Sequence, residues 1–183
     1  MLMKVNQGGI RVYDPRGSVQ SNVKPVAPRP KALRGLRLGI LDNSKWNANK
    51  LLRGAAAALS PRVEFAAVNY YVKHSFSKDA FPELIERIAA QNDIVLTAIG
   101  DCGSCTSASV RDAIQLESRG LPSAVIITAE FAREMDLTRI ALGMPSLQPV
   151  VIDHPVSSIT AQEIAARVGQ ITKQAQAVWL GAG

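Results

Sequence analysis

From Leu36 onward, short apolar runs of strand length alternate with longer segments whose apolar residues recur every three or four positions. That alternation predicts βαβ units around a parallel sheet. Strands are expected at 36–41, 63–68, 93–99, 123–128 and 149–153. The first helix is expected over 47–59, favoured by the alanines of GAAAAL and closed by Pro61. A second, over 79–91 with Asp79 at or near its N-cap, carries Phe81, Leu84, Ile85 and Ile88 at helical spacing. A third follows GDCGSCTSAS and stops at Gly120, and a fourth covers 130–142. The last begins at Thr160, where Glu163 completes a capping-box pattern. The resulting fold class is α/β: a three-layer, doubly wound, flavodoxin- or Rossmann-like sheet of about five parallel strands, most simply in the order 2-1-3-4-5. In that order the ligand crevice lies at the carboxyl ends of strands 1 and 3, between the loops 42–47 and 100–106.

Residues 1–34 break the pattern. Gly8-Gly9, Asp14-Pro15, Pro25, Pro28 and Pro30 stand among basic residues without a sustained hydrophobic period, which predicts an extended arm lying over a surface. Ile10, Val12 and Tyr13 are suited to one short edge strand within it. Residues 35–183 then form a single α/β domain.

Composition adds bounds. A chain of 183 residues with 47% hydrophobic and 20% charged residues has enough apolar side chains for one core. Two cysteines do not make a disulfide scaffold, and neither a signal peptide nor an apolar run long enough to span a bilayer is evident, which predicts a cytoplasmic protein with no membrane contact. The formal charge of +6 suggests a polyanion partner. Its distribution argues otherwise: through Arg37 there are 8 Lys and Arg against Asp14 alone, whereas the rest of the chain holds 13 against 14. The basicity belongs to the arm, which points to docking on a subunit or on the domain's own surface. With aromatics at 5% and no nucleic-acid module, no nucleic-acid partner is expected. Glycine-rich dinucleotide and P-loop fingerprints are missing, so no cofactor is expected.

Chemistry concentrates in Gly100-Asp101-Cys102-Gly103-Ser104-Cys105-Thr106-Ser107. Both cysteines of the chain fall here in Cys-x-x-Cys spacing, between a predicted strand and a predicted helix. The free N–H groups and positive dipole end of that helix would stabilise a thiolate at Cys102. Cys105, one turn on, is placed to displace whatever becomes attached to Cys102. Gly103 keeps side chains from crowding the sulfur, Ser104, Thr106 and Ser107 supply hydroxyls and N–H groups near a developing anion, and Asp101 is a further candidate contact to substrate. The bland alternative is a capped helix start with two small buried thiols. Zinc is disfavoured, because His74 and His154 are the only histidines and form no ligand-spaced pair.

Four other segments contribute candidates. In the loop after strand 1, Asp42, Asn43, Lys45 and Asn47 are placed to bind a small anionic or amide substrate, although the same residue types also favour turns. His154, after strand 5, is a candidate proton donor to a leaving group, tuned by its neighbour Asp153. Glu130, at the end of strand 4, holds a similar position, and the loop around His74 is suited to covering the site.

The run Cys102-Gly103-Ser104-Cys105, with the Asp42-Asn43-Ser44-Lys45 loop before it and Gly143-Met144-Pro145 and His154-Pro155 after it, resembles the UGSC family of selenoproteins and their cysteine homologues. The resemblance covers most of residues 36–180 and the arm least. The family is named for a selenocysteine-Gly-Ser-Cys motif, and Cys102 stands at the selenocysteine position. A more distant similarity is to the selenoprotein B subunits of glycine, sarcosine and betaine reductases. The resemblance implies a redox-type or nucleophilic site centred on Cys102, with sulfur, a less acidic attacking group, in place of selenium.

The expected function is therefore a thiol-dependent oxidoreductase. Cys102 attacks an electrophilic small-molecule substrate, Cys105 resolves the adduct as a disulfide, and a thioredoxin-like dithiol restores the pair. Two alternatives stand beside it. One is a lyase, transferase or hydrolase that uses Cys102 without a redox cycle. The other is a non-catalytic subunit that anchors another chain through its basic arm. Under each reading a homo-oligomer or a subunit partner is expected through residues 1–34.

Overall fold

A computed structural model describes residues 21–182. The apolar runs form β1 (Arg37–Asp42), β2 (Ala67–Val72), β3 (Ile94–Gly100), β4 (Ser123–Thr128) and β5 (Pro149–Ile152). The helices are α1 (Ala48–Val63), α2 (Pro82–Gln91), α3 (Gly103–Glu117), α4 (Ala132–Ala141) and α5 (Ala161–Leu180), with a 3-10 turn, Ala129–Phe131, before α4. All strand pairs are parallel, and the order is the expected β2-β1-β3-β4-β5. α1 and α5 pack together on one face of the sheet, and α2, α3 and α4 cover the other. β3 and β4 are buried at every position, which is why they read as unbroken apolar runs. Burying side chains such as Ile94, Leu96 and Ile126 stabilises the fold by about 1.5–3 kcal/mol each.

The largest departure from expectation lies between β1 and α2. α1 does not stop at Pro61 but runs to Val63, ending where Glu64 turns left-handed and donates its N–H to Ser60 O. Pro61 removes only the hydrogen bond that would reach the carbonyl of Ala57, a residue exposed to solvent, so the last turn survives and Val63 enters the core. The apolar positions Val63, Phe65 and Val68 are thus divided between helix, turn and strand, and β2 begins four residues later than expected. Asp79 is not the N-cap of α2: Phe81 holds that position with Pro82 behind it, and Asp79 pairs with Arg111 at 2.7 Å. At α5 the capping box forms as the sequence indicates, between Thr160 and Glu163.

The described part of the arm lies on its own domain. Lys24 N donates to Gly143 O at 2.6 Å, Ala27 N to Glu117 Oε2 at 2.7 Å, and Leu33 enters the core beside Leu38. The edge strand expected at Ile10, Val12 and Tyr13 falls outside the described residues. Among the described residues no helix is long and apolar enough to cross a membrane.

Candidate active site

β3 delivers the chain at Gly100 into Asp101 and then directly into α3, so the Cys-x-x-Cys run occupies the first turn of the helix. Cys102 is the N-cap residue. Its extended backbone turns its sulfur back over the helix end, where the sulfur accepts the N–H of Cys105 at 3.2 Å. One of the free N–H groups of the first turn is satisfied by sulfur, the place where negative charge is best tolerated. Cys105 is completely buried, and its sulfur accepts the backbone N–H of Asp101 at 3.1 Å. The two sulfurs are in direct contact, with Cα atoms 5.4 Å apart, a span that suits a disulfide. Cys102 is half-buried, with exposed Gly103 and Ser104 beside it, and Ser104 Oγ lies 3.7 Å from its sulfur. The pair therefore has an outer sulfur and an inner one.

Packing adds a second glycine requirement. Apart from its chain neighbours and its own helix backbone, a Cβ at Gly103 would meet nothing within 4 Å among the described residues, whereas one at Gly100 would lie 2.6 Å from Thr106 Oγ1 and 2.9 Å from Ile127 Cγ2. Gly100 is what lets the start of α3 close down on β3. Thr106 is fully buried in that contact, and its hydroxyl has no hydrogen-bond partner among the described residues.

His154 reaches the site from the end of β5. Its Nδ1 lies 2.9 Å from Asp101 Oδ1 and 3.1 Å from Thr128 Oγ1. The Asp101 contact is a close charge approach without hydrogen-bond alignment, because Asp101 Oδ1 finds no aligned donor among the described residues. Asp153, the expected partner of His154, instead faces Arg167 at 3.2 Å. Sequence adjacency suggested the wrong carboxylate: side chains of successive residues at a strand end diverge, while parallel strands bring their carboxyl ends together across the sheet.

The loop after β1 spends most of its polar groups on the fold. Asn43 is fully buried and donates Nδ2 to Ile99 O at 3.0 Å and to Ser109 Oγ at 3.2 Å, tying β1 to β3 and α3. Its donors are engaged within the protein rather than offered to a substrate. Asp42 accepts Ser44 N at 2.8 Å and the Tyr70 hydroxyl at 2.5 Å. Asn47, with φ of 64°, donates to Val156 O at 2.8 Å and so joins this loop to the segment that follows His154. Lys45 lies over the Phe76 ring at 5.1 Å. Glu130 is exposed in the 3-10 turn after β4.

Two features had no distinct sequence signal. A cavity of about 610 Å³ opens at the ends of β1 and β2, lined by Ser44, Val72, Lys73, His74, Phe81 and Arg87, with the His74 ring stacked on Phe81 at 4.0 Å. Beneath it, Lys73 and Asp112 form a fully buried ion pair at 2.5 Å. Lys73 Nζ also donates to Lys78 O, and Asp112 Oδ1 accepts Ala80 N, both at 2.8 Å, which fastens the loop carrying His74 onto α3. A lysine after a strand and an aspartate within an amphipathic helix read as surface residues; only the helix-facing, apolar surroundings of Asp112 hinted at burial.

No curated protein matches the sequence. The family model described as the UGSC family matches residues 11–181, which includes part of the arm that the motif-based resemblance covered least. With nearly the whole chain matched and Cys102-Gly103-Ser104-Cys105 at the first turn of α3, the protein belongs to the UGSC family.

Proposed function

We propose that the protein is a thiol-dependent oxidoreductase in which Cys102 attacks an electrophilic small-molecule substrate and Cys105 resolves the product. One observation carries the reading: a half-buried Cys102 sulfur on the N-terminus of α3 with a fully buried Cys105 sulfur in contact behind it. The Cys102 thiolate, stabilised by the helix N–H groups, forms a bond to the electrophilic atom as the leaving group departs with the bonding electrons. His154 takes the proton that the Cys102 thiol gives up and hands it to that leaving group. The Cys105 sulfur then attacks Cys102 Sγ, the bond from Cys102 to the substrate fragment breaks, and the fragment leaves with the electron pair and the Cys105 proton as the intramolecular disulfide forms. Two electrons pass from the thiol pair to the substrate, and an external dithiol of the thioredoxin type returns them.

Intact-protein mass spectrometry tests the scheme, with hydroxyethyl disulfide and tert-butyl hydroperoxide as probes. The reduced wild-type chain should lose two mass units with no retained adduct. Cys105→Ser should accumulate a mixed disulfide with the first probe, and Cys102→Ser should stay unmodified at early times. Modification that persists in Cys102→Ser, or an adduct that clears from Cys105→Ser without added thiol, would overturn the redox scheme.

A further inference from the structure

We infer that Asp101 is the positioning residue that turns His154 into a directed acid, presenting Nε2 to the leaving group of a Cys102 reaction; this rests on the nucleophilic reading of Cys102. The argument starts from which nitrogen is occupied. Nδ1 has two neighbours, the Asp101 carboxylate at 2.9 Å and the Thr128 hydroxyl at 3.1 Å, while Nε2 has no hydrogen-bond partner among the described residues. The Thr128 hydroxyl spends its proton on Gly100 O and so accepts at Nδ1, and the Asp101 charge beside it favours that Nδ1 proton, which leaves Nε2 to take or give the working proton. Asp101 is well placed for this: its side chain is only 2% exposed, and His154 apart, its Oδ1 has no donor among the described residues. A buried carboxylate oxygen in that condition is costly unless a cation or donor faces it, and His154 is the group that does. Thr128 meets the same nitrogen as Asp101, and its hydroxyl donates to Gly100 O at 3.4 Å. Phe131 packs at 5.8 Å between ring centroids, so the imidazole is held by a carboxylate, a hydroxyl and an aromatic face.

The same residue reaches both halves of the site. Asp101 gives its backbone N–H to the inner sulfur of Cys105 and its carboxylate to His154, and it directly precedes Cys102. A displacement of Asp101 would therefore misplace the sulfur pair and the imidazole together. Asp153, one residue from His154, has no such connection, being held by Arg167.

Leaving-group chemistry gives a test that a merely structural role would not pass. When Cys102 attacks a disulfide RSSR, a bond forms between Cys102 Sγ and one sulfur, the S–S bond breaks, and RS⁻ departs with the electron pair. An aliphatic thiolate is basic and gains from a proton delivered by Nε2, whereas an aromatic thiolate such as that released by 5,5′-dithiobis(2-nitrobenzoate) leaves without one. First-turnover rates are to be measured on the fully reduced chain with both probes. His154→Gln should slow the reaction with hydroxyethyl disulfide about 100-fold and leave the aromatic rate within about twofold. Asp101→Asn, which keeps shape but not charge, should follow the same pattern at about tenfold, and Asp153→Asn should change neither rate. The unchanged aromatic rate doubles as the check that the variants are folded. Equal slowing of both probes in Asp101→Asn, or no slowing of the aliphatic one in either His154→Gln or Asp101→Asn, would overturn the inference while leaving Cys102 as nucleophile. Failure of the wild-type chain to react through Cys102 with either probe would instead remove the proposed function beneath it.

Discussion

Arg29 of the arm reaches across the domain to Glu117 at the end of α3 and closes a 2.8 Å ion pair on a carboxylate that is itself fully buried. The same carboxylate accepts Ala27 N and Ser123 N, each at 2.7 Å, so one side chain fastens the arm, α3 and the start of β4. A buried glutamate held by two backbone donors and a guanidinium becomes more costly with each partner removed. The basic, proline-rich segment that suggested a docking arm is, over its described part, a strap on its own domain.

Cutting that strap should be costly. Glu117→Ala leaves the Ala27 and Ser123 N–H groups buried without acceptors and is expected to lower stability by about 3–5 kcal/mol, and Arg29→Ala by about 1–2 kcal/mol. Urea denaturation measures both. Limited proteolysis should cut within residues 21–34 faster in Arg29→Ala than in the wild type, with the domain otherwise intact.

A second prediction concerns the pair formed by Lys73 and Asp112. The Asp112 carboxyl is held above its ordinary range, because burial penalises the charged form more than Lys73 and the Ala80 N–H recover. From about pH 4 upward the unfolded chain has lost this proton while the folded chain still holds part of it. The group's contribution to stability therefore falls as pH rises through that window. Lys73→Met alone or Asp112→Leu alone should cost about 3–5 kcal/mol by stranding a buried charge, whereas the double variant should come within about 1 kcal/mol of the wild type. Denaturation midpoints at pH 4 and pH 7 check both parts, and the comparison should shift toward the double variant at the higher pH.

These two pairs also mark where the sequence stops being informative. The parallel sheet was legible because interior strands such as β3 and β4 must be apolar on both faces, its order followed from the simplest doubly wound topology, and the Cys-x-x-Cys run was legible because both cysteines of the chain lie in it. The boundary at Pro61 was not, since helix termination depends on whether the carbonyl it orphans can reach water, a property of the fold around Ala57. The partner of His154 was hidden for a different reason. Even with β3, β4 and β5 in the expected order, the loop geometry that turns Asp101 rather than Asp153 toward His154 has no sequence pattern. Glu117 and Asp112 looked like the polar face of a helix because composition does not show that a proline-rich segment and a loop will cover that face.

Tyr70 supplies a prediction at high pH. Burial first, and then its hydrogen bond to the Asp42 carboxylate, raise its hydroxyl above the ordinary tyrosine range. Above about pH 10 the unfolded chain loses this proton while the folded chain keeps it, so the stability the hydroxyl contributes is lost as pH climbs. Tyr70→Phe should be less stable than the wild type by about 1–2 kcal/mol at pH 8, with the gap narrowing by pH 11. Thermal midpoints at the two pH values measure it, and a gap of constant size would assign the hydroxyl no pH-linked role.

Gly100 joins stability to chemistry. An added methyl would sit 2.6 Å from Thr106 Oγ1 and 3.1 Å from the Thr106 backbone Cα, and the latter cannot swing aside, so Gly100→Ala must push the first turn of α3 off the end of β3. Overpacking of this kind costs about 1–3 kcal/mol. That turn holds the outer sulfur of Cys102, and Asp101 links it to His154, so the displacement should reach the proposed reaction before it unfolds the domain. Gly103→Ala is the natural comparison, because a methyl there, its chain neighbours and own helix backbone apart, meets nothing within 4 Å among the described residues. The expected outcome is a loss of at least about tenfold in the rate at which reduced Gly100→Ala forms the Cys102–Cys105 disulfide with hydroxyethyl disulfide, and a change of less than about threefold in Gly103→Ala. If the two glycine variants slow the reaction equally, the closeness of α3 to β3 is not what sets the geometry of the sulfur pair.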